Sequence, residues 1–417
     1  MWQPGLAVGV AVALAFGIWT GSAQAQQPQN DQAEEVDAGT QALEADLDRQ
    51  EAEQEEAEAR QIWLGKLRIR PHLNFSGVYD DNIYIASDSA GKTADYVFTI
   101  SPGMGAGAGD FEARTENFVY VDYTPGVVIF EKRSDSDATE HDARLDGQYR
   151  FAKLVVGLNQ SYVSASGALV DAGGRTTRQI YTTGVRGTYE ISPKTTWTSQ
   201  FRQTITDYQT LYDSVEWYNQ NWVDYEIMPK TRLGVGLNFG WLEVDRSVDQ
   251  EYQQLMSRID WKPTDKISIQ ARGGVEYRQA DEGKDSFNPV FGLGGSYRPF
   301  DGTSVNLDGY RREMNSASQF AHNMVTTGFT MGVRQRFLQK FFVTVNGGYD
   351  ETEYRGVLSS ILATREDEYW FIKPGVESDV TDFLKLSLFY QYRENNSTVP
   401  ASSFNNNQVG FQAKLLF

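Results

Sequence analysis

The stretch Val409-Gly410-Phe411-Gln412-Ala413-Lys414-Leu415-Leu416-Phe417 decides the fold. Val409, Phe411, Ala413, Leu415 and Phe417 recur at every second position, with Gly410, Gln412 and Lys414 between them and Leu416 as the exception. Period-two alternation marks a strand with two unlike faces. A single strand at the end of a chain gains little unless a sheet needs it for closure.

The same alternation fills the chain upstream. Ile267, Ile269, Ala271, Gly273, Val275 and Tyr277 alternate with Ser268, Gln270, Arg272, Gly274, Glu276 and Arg278. Leu384, Leu386, Leu388, Tyr390 and Tyr392 alternate with Lys385, Ser387, Phe389, Gln391 and Arg393. A helical period fits neither run. About eighteen such segments are predicted, the first over 66–85, others over 319–337 and 366–379, and the last over 404–417. Short breaks such as Ala152-Lys153, Pro229-Lys230, Asp301-Gly302 and Thr381-Asp382 take turns with longer polar ones such as Ser87–Thr93, Ser134–Thr139, Gly356–Thr364 and Asn396–Ser403. Short turns on one rim and longer loops on the other belong to a transmembrane up-and-down antiparallel β-barrel. Lipid offers no hydrogen-bond partners, so the last strand must pair with the first. An even strand count puts both ends on the periplasmic rim, with Phe417 at the headgroup level. A soluble sandwich or propeller is the competing all-β reading, but no blade-like repeat is present.

Composition fits an exported barrel. The 417 residues contain no cysteine, 22 Tyr, 23 Phe, 9 Trp and 38 Gly. Mean hydropathy is −0.49, too polar for a bundle of membrane helices. Leu6–Trp19 is the one apolar run, and Ala23-Gln24-Ala25 follows it, which reads as a signal peptide over 1–25 without a basic start. Residues 26–62 form an acidic segment, expected to be flexible or partly helical. Gln26–Arg60 holds twelve Asp/Glu and two Arg, a charge of −10 out of −18 for the chain. This segment reads as a solvated tail or as a docking arm. The barrel is expected over 63–417, in the outer membrane of a Gram-negative bacterium. The acidic balance argues against nucleic acid. Outer-membrane lipid and the barrel-assembly machinery are the expected partners.

Strand parity assigns faces. Outward fall Leu67, Ile69, Tyr96, Phe98, Val119, Val121, Tyr123, Leu233, Val235, Trp241, Trp370 and Ile372. The residues expected to line a pore are Arg68, Arg70, Asp122, Arg144, Arg150, Arg186, Arg202, Arg258, Arg272, Arg278, Arg334, Arg336, Lys385 and Arg393. Asn74, Asp146, Glu190, Asp260, Glu276 and Asp308 fall on the same face. Eighteen strands leave a lumen too wide for side chains to fill, so it holds water or a plug, for which the acidic segment is the one candidate. An excess of inward Arg and Lys would favour anionic solutes; pairing across strands would leave the wall merely polar. Tyr120, Tyr208, Trp222 and Phe389 point inward and could stack on sugar rings or serve as packing.

Signs of chemistry are thin. Of three histidines, His72 and His322 fall inward, and His322 with Ser316 and Ser318 is the one grouping a hydrolase could use. Oxygen-rich loops around Ser134–Asp142 and Tyr79–Ser89 lack a calcium-loop spacing. No enzyme activity, cofactor or metal is expected.

Two stretches carry a resemblance. "RPHLNFSGVYDDNIYIASDS", with Tyr79-Asp80-Asp81-Asn82-Ile83-Tyr84, and "YVFTISPGMGAG" over Tyr96–Gly107 resemble the first two strands of a family of outer-membrane β-barrel porins often associated with exopolysaccharide or capsule export. The resemblance implies a channel for an exported polysaccharide, with a periplasmic polysaccharide-export protein as a further partner. From the residues alone, a nutrient-uptake porin and a barrel anchor or adhesin without transport stand beside it.

Overall fold

The computed structural model describes residues 62–280, 285–317, 323–355 and 365–417. The expected signal peptide, the acidic segment up to residue 61, Ser318, His322 and the loop Gly356–Thr364 lie outside the described residues.

Nineteen antiparallel strands make one sheet: β1 (Ile62–Leu64), β2 (Leu67–Asp80), β3 (Asp95–Gly109), β4 (Phe118–Phe130), β5 (Ala138–Arg150), β6 (Leu154–Leu169), β7 (Gly174–Ser192), β8 (Thr195–Tyr208), β9 (Ser214–Met228), β10 (Thr231–Val244), β11 (Gln250–Thr264), β12 (Ile267–Ala280), β13 (Ser286–Tyr297), β14 (Thr303–Asn315), β15 (Asn323–Arg336), β16 (Phe341–Arg355), β17 (Glu366–Thr381), β18 (Leu384–Ser397) and β19 (Phe404–Leu416). Each strand from β2 onward pairs with the next in the chain. The ring closes where β19 meets β2, from Gln408↔Asp80 to Leu416↔His72. That pairing is what the alternation in Val409–Phe417 serves.

Seen by burial, the fold inverts a soluble protein. On the outer face Val235 is 63% exposed and Leu388 64%, while inside Asn406 and Gln408 are fully buried and Glu276 is 1% exposed. An apolar exterior around a polar interior is stable only with hydrocarbon outside. Aromatic side chains mark both edges of the band, Trp197 and Tyr225 towards the terminal rim and Trp217 and Trp241 towards the other. The protein is therefore an outer-membrane β-barrel of eighteen closing strands, with β1 in addition. Among the described residues no helix is long and apolar enough to cross a membrane.

Three features depart from the sequence reading. β1 was not foreseen: it is three residues long and too short to show a period. It pairs with the first residues of β2, Ile62↔Ile69 to Leu64↔Leu67, on an edge that β19 is too short to cover. The first barrel strand ends at Asp80 rather than near 85. Ile83 and Ile85 are buried at 1% exposure in the loop that follows, where apolar residues mimic a continuing strand. Finally, β14 leaves β13 early. Their pairing stops at Phe291↔Arg311, whereas β14–β15 continues to Asn315↔Asn323.

The Tyr79–Tyr84 motif stitches the closing seam. Asp80 accepts hydrogen bonds from the Asn82 backbone N–H (2.7 Å) and from Gln408 Nε2 (2.8 Å). Asp81 accepts from the Asn407 backbone (2.7 Å) and its Nδ2 (2.8 Å). Asn82 brackets Ala86, accepting from its N–H and donating to its carbonyl. These carboxylates are committed to amide donors, and among the described residues no group of three or more His, Asp or Glu could hold a metal ion.

Candidate channel lumen and its two constrictions

Most of the expected lining residues meet partners on the inner wall. Arg258 forms a two-pronged pair with Asp224 (2.8 Å each). Arg144 does the same with Asp142 (2.8 and 2.9 Å), Arg334 meets Glu377 (3.2 Å), and Lys385 lies 3.9 Å from Asp379. Arg278 is buried between Glu276 (2.8 Å) and Gln250 (3.1 Å). Arg393 donates to Asn406 (2.6 Å), and Asp122 accepts from Tyr120 and Thr124. Arg186 and Arg202 stand on neighbouring strands two register steps apart, Arg202 beside the Tyr218 ring. Arg272 lies across Gly292, where a Cβ would meet its Nε at 2.6 Å. Arg336 sits with Arg334 over Phe342 at the terminal rim.

The expected excess of inward cations came from acids that were overlooked. Asp142, Asp224, Glu377 and Asp379 were legible by parity, since each shares the face of a neighbour already assigned inward. Glu112 was not, because it lies in a turn. Close pairs of this kind cancel much of each other's far field.

The inward aromatics lie flat. Trp222 is 1% exposed, packs with Met256 and Val290, and has the Arg258 guanidinium 4.2 Å from its ring. Phe389 packs on Val78 under Lys373. A Cβ on Gly236 would stand 2.7 Å from Trp222, and one on Gly410 2.5 Å from Phe389. Inward glycines thus give the rings room to lie along the wall instead of standing into the lumen. Neither ring face is open to stack on a sugar, contrary to that expectation for Trp222 and Phe389. Tyr120 is also covered, stacked on Phe111 at 5.0 Å. His72 hydrogen-bonds Thr124 (2.8 Å), and Ser316 is engaged by Asp171.

Two chain segments enter the ring. At the periplasmic rim the β3–β4 turn, residues 110–117, folds against the inner wall. Phe111, 3% exposed, lies under the guanidinium groups of Arg68 (4.1 Å) and Arg70 (5.0 Å). Glu112 pairs with both arginines, Arg114 meets Asp146 (3.2 Å), and Arg150 donates to the Thr115 carbonyl (2.8 Å). Burial alone would raise the Asp110 carboxyl, but hydrogen bonds from Thr115 and Glu116 outweigh it and hold its pKa below the usual range.

At the far mouth the top of the β14–β15 hairpin leaves the wall. By parity Glu313 belongs to the outer face, yet its carboxylate accepts from Ser286 and Asn288 on the inner face of β13. Val325, Met314 and Met324 are buried with it. From the opposite wall the β6–β7 turn reaches to this hairpin. Asp171 accepts from Ser316 Oγ (2.8 Å) and the Ala317 N–H (2.7 Å). Arg365, itself held by Asp367 (2.5 and 3.0 Å), donates to the carbonyls of Asp171 (2.7 Å) and Val170 (3.0 Å). β7 and β15 are eight places apart on the eighteen-strand ring, so these contacts cross the mouth. The expectation that the acidic segment alone could obstruct the lumen is corrected here: the wall supplies its own obstructions.

No protein-family model matches the chain, and no curated protein matches it. Solved structures similar to the barrel include Acinetobacter baumannii OccAB3, at 11% identity and a TM-score of 0.49, covering 84% of this chain and 99% of that one. Pseudomonas aeruginosa OpdO matches at 10% identity and a TM-score of 0.48, covering 84% of this chain and 97% of that one. P. aeruginosa OccK2 (OpdF), solved in complex with glucuronate, gives 10% and 0.48, covering 85% and 99%. The superpositions are loose.

Proposed function

We propose that this protein is a diffusion channel that admits small polar solutes across the outer membrane, in the manner of an uptake porin. One observation carries the reading: the contact of Asp171 with Ser316, Ala317 and Arg365 spans the mouth. A small solute needs such a contact to part only locally or briefly. An exported polysaccharide would keep it broken for the whole passage, and the flat Trp222 and Phe389 rings offer no sugar-stacking surface. We also propose the fourteen residues expected to line the pore as its polar wall, with the paired acids Asp142, Asp224, Glu377 and Asp379 added.

The test joins planar-bilayer conductance with liposome swelling in a graded series of sugars and amino acids. Discrete conductance with uptake falling off above the size of a disaccharide supports the reading. A barrel that passes no ion at all belongs with the anchor alternative, and one that passes long oligosaccharides as fast as monosaccharides restores polymer export.

A further inference from the structure

The two mouths of the ring differ in charge. Five periplasmic turns, those after β1, β5, β7, β9 and β15, hold a lysine and no carboxylate. These lysines, Lys66, Lys153, Lys194, Lys230 and Lys340, are all exposed. Lys230 meets Asp265 (2.8 Å) of a neighbouring turn, whereas Lys66, Lys153 and Lys194 form no ion pair among the described residues. In the connections at the far mouth, carboxylates outnumber Lys and Arg among the described residues, with Asp88, Asp135, Asp213, Asp245 and Asp249 on that side.

The chain that precedes β1 arrives at the basic mouth. Read from Leu64 back to Ile62, β1 climbs the lower edge of β2, Leu64 opposite Leu67 and Ile62 opposite Ile69. Ile62 and Leu64 thus share the lipid face. Trp63 shares the lumen face with Arg68, whose guanidinium lies 5.4 Å from its ring. Higher on the same edge the place is taken: the Phe417 N–H donates to the Pro71 carbonyl (3.0 Å), and Leu416 stands opposite His72. No room in the sheet is left for the chain before Ile62. On the lipid side stand acyl chains and phosphate headgroups, which exclude carboxylates by desolvation and by like charge. Gln26–Arg60 carries twelve of them, five within Glu51–Glu58. The water of the periplasmic mouth is the side that accepts them. At about 3.3 Å per residue at most, Glu51 reaches up to roughly 36 Å from Ile62. Eighteen strands about 4.8 Å apart and tilted by about 40° close a ring on the order of 35 Å across, so the mouth is within that reach.

We infer that the acidic segment docks on the periplasmic mouth of its own barrel, with Glu51–Glu58 against Lys66, Lys153 and Lys194. Exposed ion pairs are each weak, but the tether holds the two surfaces at an effective concentration of about millimolar, where a few pairs suffice. Salt screens such a contact and releases the segment.

The test reads proximity and not current, so it is decided separately from the channel reading. The chain has no cysteine, so Ala52→Cys with Ala152→Cys places one thiol in the segment and one beside Lys153. In liposomes of phosphatidylethanolamine and phosphatidylglycerol at low ionic strength, a mild oxidant should join the two. The rate is expected to fall about tenfold in about 0.5 M salt, the equivalent of a few exposed ion pairs. The same fall is expected at low salt from E51Q/E53Q/E55Q/E56Q/E58Q, and again from K66Q/K153Q/K194Q. Heat-modifiable gel mobility in each variant checks that its barrel is closed. A rate that is equal at low and high salt, or unmoved by either set of substitutions, means that the lysines serve lipid phosphate or another partner and overturns the inference. So does the absence of any cross-link.

Discussion

Two segments lie inside this ring, and they are held by different kinds of contact. The periplasmic turn rests on β2 and β5, the strands adjoining its own hairpin, through Arg68, Arg70, Asp146 and Arg150. It narrows the lumen without crossing it. At the other mouth, Asp171 reaches residues 145 and 194 positions away in sequence, on the opposite wall. The first segment sets the width of the path; the second decides whether the path is continuous. A barrel can carry the first at little dynamic cost, because the turn moves with the wall that bears it. The second couples two walls, so it must part whenever the mouth opens.

The strongest way to break this comparison is Asp171→Ala. It removes two hydrogen bonds to a carboxylate, each worth roughly 1.5–3 kcal/mol, which corresponds to about a hundredfold or larger shift towards an open mouth. Single-channel records should show open-state occupancy rising accordingly. An unchanged record would mean that solutes take another route. The width of the wall between the two constrictions is next. Gly236→Val would push Trp222 off its seat and into the lumen, at a cost of about 1–3 kcal/mol in packing. Conductance should fall while occupancy stays as it was, which separates width from continuity.

Asp224→Asn and Arg258→Gln form a smaller, paired test. The first leaves a cation on the wall and the second an anion, so reversal potentials in a salt gradient should move in opposite directions. Equal shifts of one sign would show that the pair is not in the conducting path. The smallest effect belongs to Asp110. Its pKa is lower in the folded protein than in the unfolded chain, so the stability it adds is present above the unfolded value. That contribution is lost as pH falls through the folded value. Acidifying the periplasmic side below about pH 4, the ordinary carboxylate range, should raise current noise from the 110–117 turn.

The ring was legible because its rule is period two over long runs, and the parity of Leu233, Val235 and Trp241 needed nothing else. Turns over Ala152-Lys153 and Pro229-Lys230 were equally plain. What escaped was everything that departs from the wall. Ile83 and Ile85 continue an apolar pattern after the strand has stopped. Glu313 keeps outward parity in sequence while its hairpin turns inside, and nothing local marks the point where β14 parts from β13. Asp171 sits in a four-residue break whose partners are far along the chain. Trp222 could have been placed better, since Gly236, which faces it in register on β10, leaves the gap that a flat ring fills.

The seam between β19 and β2 has a further meaning for the chain's own history. No shorter product is a smaller version of the finished object. A polypeptide cut anywhere before Phe404 presents two raw edges, however many hairpins it has already made, and hydrocarbon tolerates neither. Partial success has no value here: the ring is sealed only when the thirteen residues of β19 are in place.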